Sequence, residues 1–272
     1  MTGTAAPTTG WEPGLPVDDT VLRRFVFSHA DRMAKMAQAS GGPIGGSNEA
    51  AFADPGSPFL YDNGVVLLQP PTPALIDIVC RQARTFFPPD HSWTLLSAWP
   101  TPDLAWRGLE LAGHPLLLLR PPGRRDLPSG PPPVRIVEAT SATANADFEH
   151  VLVTGYPALP RSGAVGPDLL GTAVRRFVGY LDGRPVTVAG AAVGHGLVEI
   201  DWVATVPDVR RRGFGAALTA EALRSVPDLP AVLLAGDEAR SLYERLGFLA
   251  LLRTTVWCHR PATVPPPRGR QG

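Results

Sequence analysis

The sequence predicts a mixed α/β protein built in two parts. Helix-like and strand-like segments alternate along the 272 residues, and this length exceeds what a single core commonly spans. A proline-rich segment at 121–133 lies near the middle of the chain and is typical of a stiff, extended linker. We therefore expect domains at 17–120 and 134–260. Flexible tails are expected at 1–16 and 261–272.

The composition is that of a globular chain with no strong overall charge. Hydrophobic residues make up 44% of the sequence and charged residues 18%, which is enough apolar material to bury a core. The 25 basic residues balance the 25 acidic ones. Such a balance produces no field that would attract nucleic acid or an anionic membrane, so neither is expected as a partner.

The cysteines and the chain ends point to a reduced, soluble setting. Cys80 and Cys258 are too few for a disulfide framework, and neither lies at a spacing typical of metal ligands. No stretch reaches the roughly 18 apolar residues of a membrane helix, and 1–16 lacks the pattern of a signal peptide. We expect a cytoplasmic protein without a bound metal.

The first part mixes helical and strand-like segments. Apolar residues recur at helical spacing over Val21–Ala39, and three residues can cap the start of this helix, namely Asp18, Asp19 and Thr20. Gly41–Gly46 is glycine-rich and lacks a following helix with a basic lead-in, so we expect a mobile loop there. The remaining elements are predicted as strands at 64–69, 93–99 and 115–120, a helix at 74–86, and a short helix after Pro102.

The second part is predicted to contain an antiparallel meander. Asp182-Gly183 lies between apolar runs at 174–181 and 186–193. Asp-Gly is a strong hairpin signal, because a type I′ turn needs residues that tolerate positive φ. A third strand is predicted at 197–205. The other predicted elements are strands at 134–138, 231–235 and 249–257, and helices at 144–153, 215–225 and 238–246.

A basic turn with two glycines connects the strand ending at Thr205 to the next helix. The first turn of a helix has free backbone N–H groups and the positive end of the helix dipole, so it attracts anions. Gly213 and Gly215 remove the Cβ atoms that would keep a pyrophosphate away from this backbone. The turn therefore predicts a phosphate-binding loop. A solvated arginine face is the alternative interpretation of Arg210–Arg212.

The turn Arg210–Gly215 has the pattern Arg-x-x-Gly-x-Gly, which resembles the acetyl-CoA pyrophosphate motif of the GNAT superfamily of N-acetyltransferases. A second segment, 239–248 (ARSLYERLGF), resembles the superfamily helix that carries a Tyr and ends in Leu-Gly-Phe. The resemblance implies a GNAT-like central sheet, mixed but mostly antiparallel and flanked by helices, beside a second, N-terminal α/β domain. Gly236 stands where many members have Asn, so one cofactor contact could be absent or come from Asp237.

The resemblance also implies a reaction, in which the acetyl group of acetyl-CoA passes directly to a primary amine. It implies that the pantetheine arm lies along the backbone of Val203, Ala204 and Thr205, where two strands separate. It implies that the pyrophosphate binds the turn and the start of the helix. The residues implied for this second contact are Arg210, Arg211, Arg212, Gly213, Phe214, Gly215 and Ala216.

Two side chains are candidates for proton transfer. Tyr243 matches the frequent general acid of the superfamily, so its phenol would contact the cofactor and protonate the departing CoA thiolate. The other interpretation is a Tyr that only packs. Glu199 falls where the histone-acetylating branch has its general base, and Asp201 shares its face of the strand, because side chains alternate along a strand. A solvent-facing pair, or an Asp201 that attracts a cationic substrate, are the alternatives.

A segment of the first part is weakly similar in sequence to a segment of the second, and we call this similarity the echo. Leu104–Arg120 resembles Leu242–Arg260, with Gly108-Leu109 in the place of Gly247-Phe248. The echo implies a degenerate N-terminal copy of the same fold that shapes the acceptor cleft. Three tryptophans are candidates to line that cleft: Trp93, Trp99 and Trp106.

Two questions stay open from the sequence alone. A non-catalytic acyl-CoA-binding sensor or interaction module is the alternative function, although the retained Tyr243 argues against it. The acceptor amine depends on loops such as Tyr156–Gly171. The sequence also leaves a homodimer open.

Overall fold

The computed structural model describes residues 20–57, 60–123, 127, 134–156 and 174–261. The predicted tail at 1–16 and nearly all of the tail at 261–272 lie outside these residues. Most of the predicted linker at 121–133, and the loop that follows Tyr156, lie outside them as well.

Side-chain caps start the first three helices. Thr20 accepts a hydrogen bond from the Arg23 N–H at the start of α1, as one of the predicted caps. Thr72 and Ser141 do the same for α2 and α3. The helices of the described chain are α1 (Val21–Ser40), α2 (Pro73–Phe86), α3 (Ala142–Gly155), α4 (Phe214–Arg224) and α5 (Asp237–Arg245), with short 3₁₀ turns at Leu60–Asp62, Ala105–Arg107 and Pro207–Val209.

The strands of the described chain form two sheets. The first sheet has the order β1-β2-β3-β4-β13-β5, and the second has the order β12-β6-β11-β10-β9-β8-β7. Within the described residues the parallel pairs are β3 with β4 and β10 with β11, and the other pairs are antiparallel. The strands are β1 (Ile44–Gly46), β2 (Ala50–Ala53), β3 (Gly64–Leu67), β4 (Trp93–Ser97), β5 (Glu110–Gly113), β6 (Leu116–Arg120), β7 (Arg135–Glu138), β8 (Arg175–Leu181), β9 (Arg184–Gly194), β10 (Leu197–Thr205), β11 (Ala231–Ala235), β12 (Leu249–Arg253) and β13 (Thr255–His259).

Each half of the chain contributes one strand to the sheet of the other half. β6 lies between β11 and β12, where Leu118 pairs with Leu233 on one side and Ala250 on the other. β13 lies between β4 and β5, where Trp257 pairs with Leu95 and Leu111. Each sheet therefore contains strands from both sides of the proline-rich segment. The predicted domain ranges do not contain this exchange.

Apart from the exchange, both sheets follow one scheme. In each, an antiparallel hairpin leads to a strand that is followed by a helix and a parallel neighbour: β2-β3-α2-β4 in the first sheet and β9-β10-α4-β11 in the second. A left-handed glycine then precedes the last two strands, Gly108 with φ 71° and Gly247 with φ 85°. The next residues, Leu109 and Phe248, are both buried. This correspondence agrees with the echo in the sequence.

Two predicted elements differ from the structure. Gly41–Gly46 was expected to be a mobile loop, but Ile44–Gly46 forms β1 and pairs with β2, with Ile44 opposite Ala53. The single strand expected at 249–257 divides at Thr254 into β12 and β13. Thr254 is fully buried, and both its N–H and its hydroxyl donate to the Pro115 carbonyl, which anchors the chain where it crosses from one sheet to the other.

Helix α1 joins the two sheets. Its apolar face packs in one core cluster with residues of both sheets, among them Val66 of β3 and Leu197 of β10. Near its middle, a side chain at Gly194 of β9 would collide with the Ser28 hydroxyl oxygen, at 2.9 Å. This close approach brings the polar residues of α1 against the central strands of the second sheet.

None of the helices in the described residues is both long enough and apolar enough to cross a membrane.

Candidate active site

The turn between β10 and α4 has the backbone geometry of an anion-binding loop. Arg211 and Gly213 both adopt positive φ, 63° and 84°. Gly213 is the N-cap of α4, and the first intrahelical hydrogen bond runs from the Ala217 N–H to the Gly213 carbonyl, at 3.1 Å. The N–H groups of residues 214–216 precede this bond and so have no partner within the helix. They form the positive end of α4, where an anion is stabilised.

The three arginines of the turn have different surroundings. Arg210 donates from Nε to the Thr205 carbonyl, at 3.0 Å, and from its terminal nitrogen to the Gly155 carbonyl at the end of α3, at 2.6 Å. Its side chain therefore fixes the turn against β10 and α3. Arg211 and Arg212 are exposed, and the Arg212 guanidinium lies 5.0 Å from the centre of the Phe214 ring. These two cations lie beside the start of α4.

Strands β10 and β11 separate next to this turn. Their parallel register covers Val198 opposite Ala231 and Glu199 opposite Val232. Beyond it, the pairing of β10 with β9 is interrupted by a bulge between Asp201 and Ala204. The end of β10 therefore runs without β11 beside it.

Gly215 lies where α4 meets this strand end. A Cβ atom at this position would be 3.6 Å from Thr205, 3.7 Å from Val203 and 3.9 Å from Leu242 of α5, which are ordinary contact distances. The first turn of α4, the end of β10 and α5 thus meet at Gly215.

Tyr243 is buried on α5, with 7% of its surface exposed, and its ring packs edge-on against Phe248 at 5.8 Å. Burial raises the pKa of the phenol, and the negative charge of Asp201 raises it further. The phenol therefore carries its proton at neutral pH. A protonated phenol near the separated strands is available as a proton donor.

Glu199 lies in a buried ion-pair network with two residues of α1. Its Oε1 atom is 2.6 Å from His29 Nδ1 and 3.3 Å from a terminal nitrogen of Arg32. Burial alone would raise the pKa of Glu199, but the charges of Arg32 and His29 outweigh it and lower the pKa to about 2. A carboxylate held so firmly in its ionised form is a poor proton acceptor, which argues against Glu199 as the general base.

Asp201 shares the face of Glu199, as the alternation along the strand predicted. Its Oδ2 atom is 3.1 Å from the same terminal nitrogen of Arg32, and its Oδ1 atom accepts from the Trp202 N–H at 2.7 Å. Trp202 lies in the bulge with φ 50°, a conformation that is unusual for a bulky residue. The side chain of Asp201 is 37% exposed, whereas that of Glu199 is 4% exposed. Asp201 is therefore the more accessible of the two carboxylates.

Asp62 adds a third carboxylate from the first sheet's side. It is buried, and it accepts hydrogen bonds from the Ser57 hydroxyl, at 2.9 Å, and from the Trp202 indole. Burial raises the pKa of Asp62 to about 7; the charge of Arg32 opposes this shift and the charge of Asp201 adds to it. Asp62 therefore titrates near neutral pH.

Comparisons with known proteins agree with this geometry. The family model described as the GNAT acetyltransferase domain matches residues 173–249, which include the turn, the separated strands and Tyr243. Residues 173–249 form a GNAT acetyltransferase domain. Comparison with curated protein sequences finds no match.

Solved structures of GNAT proteins share the architecture beyond this domain. A GCN5-related N-acetyltransferase from Kribbella flavida is 20% identical, with a TM-score of 0.68 over 89% of this chain and 96% of its own. A GNAT-family protein from Novosphingobium aromaticivorans is also 20% identical, with a TM-score of 0.56 over 84% of this chain and 98% of its own. At this level of identity these structures show the fold and carry no information on the acceptor.

The ionic network extends outside the matched GNAT domain. His29, Arg32 and Asp62 all come from the N-terminal part of the chain, and sequence reasoning missed them. One signal was available, because Arg32 lies on the apolar face of α1 between buried Phe25 and Met36. A charged residue on such a face has a buried partner, but the sequence does not show that the partner is 167 or more positions away.

The structure does not bring the candidate tryptophans Trp93 and Trp106 to the site. Trp93 stacks with Phe87 in the core of the first sheet, at 5.2 Å, and Trp106 is 71% exposed. His195 lies in the turn before β10, where it pairs with Asp31 at the surface. Asp237, the expected substitute for the missing Asn contact, is paired with Arg253 at 2.8 Å.

Proposed function

We propose that this protein is an acetyl-CoA-dependent N-acetyltransferase that moves the acetyl group to a primary amine by direct attack. A GNAT acetyltransferase domain implies acyl transfer from an acyl-CoA. One observation carries the proposal to this chain: the anion-binding start of α4 and the end of β10 that β11 leaves uncovered meet at Gly215, and Tyr243 of α5 lies in the same core cluster as Val203 and Ala216. These are the parts that such a transfer needs.

The start of α4 would bind the pyrophosphate of acetyl-CoA. The N–H groups of residues 214–216 supply donors, and Gly213 has no side chain in the way of the phosphates. The exposed guanidinium groups of Arg211 and Arg212 add positive charge beside the anion. Arg210 would act indirectly, because its side chain already binds two backbone carbonyls and so keeps the turn in shape.

The end of β10 would hold the pantetheine arm and the thioester. Val203, Ala204 and Thr205 follow the bulge on the side that β11 leaves uncovered. Backbone groups at such a separation are fixed in place before the substrate binds, which favours stabilisation of the charge that develops on the carbonyl oxygen.

The chemistry then needs one proton donor. The neutral amine nitrogen attacks the carbonyl carbon, the carbon–sulfur bond breaks, and the Tyr243 hydroxyl gives its proton to the leaving thiolate. The proton lost by the attacking amine passes to solvent, and Tyr243 takes a proton back from solvent, so that the enzyme returns to its starting state. Glu199 would act by holding Arg32 and the bulged strand, because its low pKa makes it a weak base.

An acetyl-transfer assay tests this proposal. Purified protein is mixed with acetyl-CoA and a panel of primary amines, free thiol is measured as CoA is released, and the acetylated amine is identified by mass spectrometry. We expect amine-dependent CoA release and an acetylated product. Tight binding of acetyl-CoA without transfer to any primary amine would contradict the proposal and favour the acyl-CoA sensor instead.

A further inference from the structure

One side chain ties the phosphate-binding turn to the end of α3. Arg210 lies in the turn, and its guanidinium donates to the Thr205 carbonyl at 3.0 Å and to the Gly155 carbonyl at 2.6 Å. Gly155 is the last residue of α3, and the last carbonyl groups of a helix have no partner within it. The last turn of α3 has no basic residue of its own, so Arg210 supplies the cation that a helix C-terminus favours.

The backbones at this junction approach each other closely. A Cβ atom at Gly155 would lie 3.0 Å from both the carbonyl carbon and the carbonyl oxygen of Thr205, so a side chain at this position would force the two backbones apart. Thr205 is the last residue of β10, in the part of the strand that β11 leaves uncovered. The end of α3 therefore rests directly on the strand proposed to hold the pantetheine arm.

Core packing provides a second link between the turn and α3. Residues of both belong to one core cluster, among them Val206, Val209 and Phe214 on the side of the turn, and Phe148, Val151 and Leu152 on α3. Tyr156, the residue after α3, packs against the same cluster. A change in the order of the turn can thus pass to the end of α3 through side chains in contact.

Tyr156 connects this end of α3 to the transfer site. Val188 and Ala189 are neighbours on β9 and belong to different core clusters, so the clusters of α3 and of α4 and α5 lie on opposite faces of the second sheet. Tyr156 packs on the α3 face and Tyr243 on the other. Tyr156 nevertheless interacts electrostatically with both Tyr243 and Asp201. Tyr156 therefore lies on the α3 side of the separated strands.

We propose that Arg210 is a positioning residue that joins the two substrate sites. CoA bound at the turn fixes Arg210, Arg210 fixes the end of α3, and Tyr156 is thereby held where the acceptor amine approaches the thioester from the α3 face. This inference rests on the proposed function. Coupling between two binding sites is reciprocal, so an acceptor that packs against Tyr156 also raises the affinity for CoA.

Hydrogen exchange followed by mass spectrometry tests this link with CoA alone as the probe. In the wild type, saturating CoA should slow exchange of the amides in 148–156 by about fivefold, the low end of coupling between sites. Arg210→Gln should lose this protection while 210–217 remains protected. Arg211→Gln is the matched control, because it removes the same charge beside the same anion from an exposed side chain. It should keep the protection of 148–156.

Gly155→Ala changes the junction from the α3 side and leaves the arginines in place. Alanine is favoured over glycine within a helix, so α3 should persist, as thermal melting can show, while the added Cβ displaces it from Thr205.

Steady-state kinetics with the fastest amine of the panel gives the second readout. Arg210→Gln and Gly155→Ala should each raise the KM of the amine about fivefold. The double variant should be no worse than the more affected single variant, because both changes act on one junction. Arg211→Gln should raise the KM of acetyl-CoA instead.

The outcomes separate this inference from the function on which it rests. If calorimetry shows no binding of CoA to the wild type, the proposed function fails and the inference falls with it. If CoA slows exchange at 210–217 but not at 148–156, or protects 148–156 equally in Arg210→Gln and Arg211→Gln, the inference is overturned and the function stands. Independent, multiplying effects of Arg210→Gln and Gly155→Ala on the KM of the amine would overturn it as well.

Discussion

Helices α2 and α4 occupy equivalent positions in the two sheets, yet their starts are built in opposite ways. Each helix follows a strand whose parallel neighbour comes next in the chain. At α4, Gly213 has φ 84° and makes no side-chain cap, so the first N–H groups remain available. At α2, the Thr72 hydroxyl caps the Leu75 N–H, and Pro73 brings no N–H at all. The start of a helix at this position can thus either offer free N–H groups to an anion or have them capped by its own side chains.

The position of Tyr243 shows the same contrast. Tyr243 lies four residues before the left-handed Gly247, and Leu104 lies four residues before the left-handed Gly108. Leu104 is completely buried and has no proton to give. The first half therefore has a buried side chain at this position but no proton donor. Its side of the molecule contributes Asp62 to the ionic network instead.

The largest effect is expected from separating the two halves of the chain. Fragments 1–133 and 134–272, expressed alone, should show no cooperative thermal unfolding by circular dichroism, because β6 and β13 are interior strands of the other fragment's sheet. Mixing or co-expression should restore a folded complex. A fragment that unfolds cooperatively by itself would show that the exchanged strands are dispensable.

Replacing Tyr243 by Phe removes the hydroxyl from α5, and so leaves this position without a proton donor, as Leu104 leaves the corresponding position of the first half. We expect kcat to fall by about 10²- to 10⁴-fold, since a positioned proton donor contributes this much, with the Kd of CoA unchanged. Steady-state kinetics and calorimetry measure the two effects. Tyr180→Phe removes a hydroxyl that binds Asp147 instead, so it serves as the control with wild-type kcat. Unchanged kcat in Tyr243→Phe would remove Tyr243 from the mechanism.

Gly213→Ala tests the helix start itself. Alanine with positive φ costs about 1–2 kcal/mol, so the turn should relax away from its phosphate-binding shape and weaken CoA binding about tenfold. Gly41→Ala is the matched control, because Gly41 has φ 72° and a Cβ there meets nothing within 4 Å. The control should lose similar thermal stability and keep its CoA affinity in calorimetry. Equal affinities in the two variants would contradict the assignment of the loop.

Local features of this molecule could be predicted from the sequence. The Asp182-Gly183 turn has positive φ at both residues, and the start of α4 lies within one residue of its expected position. Both depend on the backbone chemistry of a few neighbouring residues. The strand exchange was out of reach, because the apolar patterns of β6 and β13 suit the interior of either sheet. The ionic network was also out of reach, because His29 and Glu199 are 170 positions apart.

Asp62 is expected to make the stability of the protein depend on pH, which is a smaller effect. Its folded pKa of about 7 lies above its ordinary value of 3.8. Its contribution to stability is therefore fully present below about pH 4 and is lost as the pH rises through 7. Asp62→Asn should remove this slope and unfold at higher temperature than the wild type at pH 8. Melting temperatures measured from pH 4 to 8 give this dependence of stability on pH. Asp31→Asn is the control that should keep the dependence. The same dependence in Asp62→Asn as in the wild type would contradict this role of Asp62.

Gly215→Ala should have the smallest effect. The added Cβ would lie at ordinary contact distances from Thr205, Val203 and Leu242. Alanine is also favoured over glycine inside a helix by up to about 1 kcal/mol. We expect a slightly higher melting temperature and a CoA Kd within about threefold of the wild type. A large loss of affinity would show that the phosphates approach Gly215 more closely than Gly213.

Hydrogen exchange with and without CoA, followed by mass spectrometry, tests the central comparison in the unmodified protein. The account predicts that CoA slows exchange of the amides in 210–217, at the start of α4, and leaves 69–76, at the start of α2, unchanged. Protection at 69–76, or no protection at 210–217 under conditions where CoA binds, would contradict it.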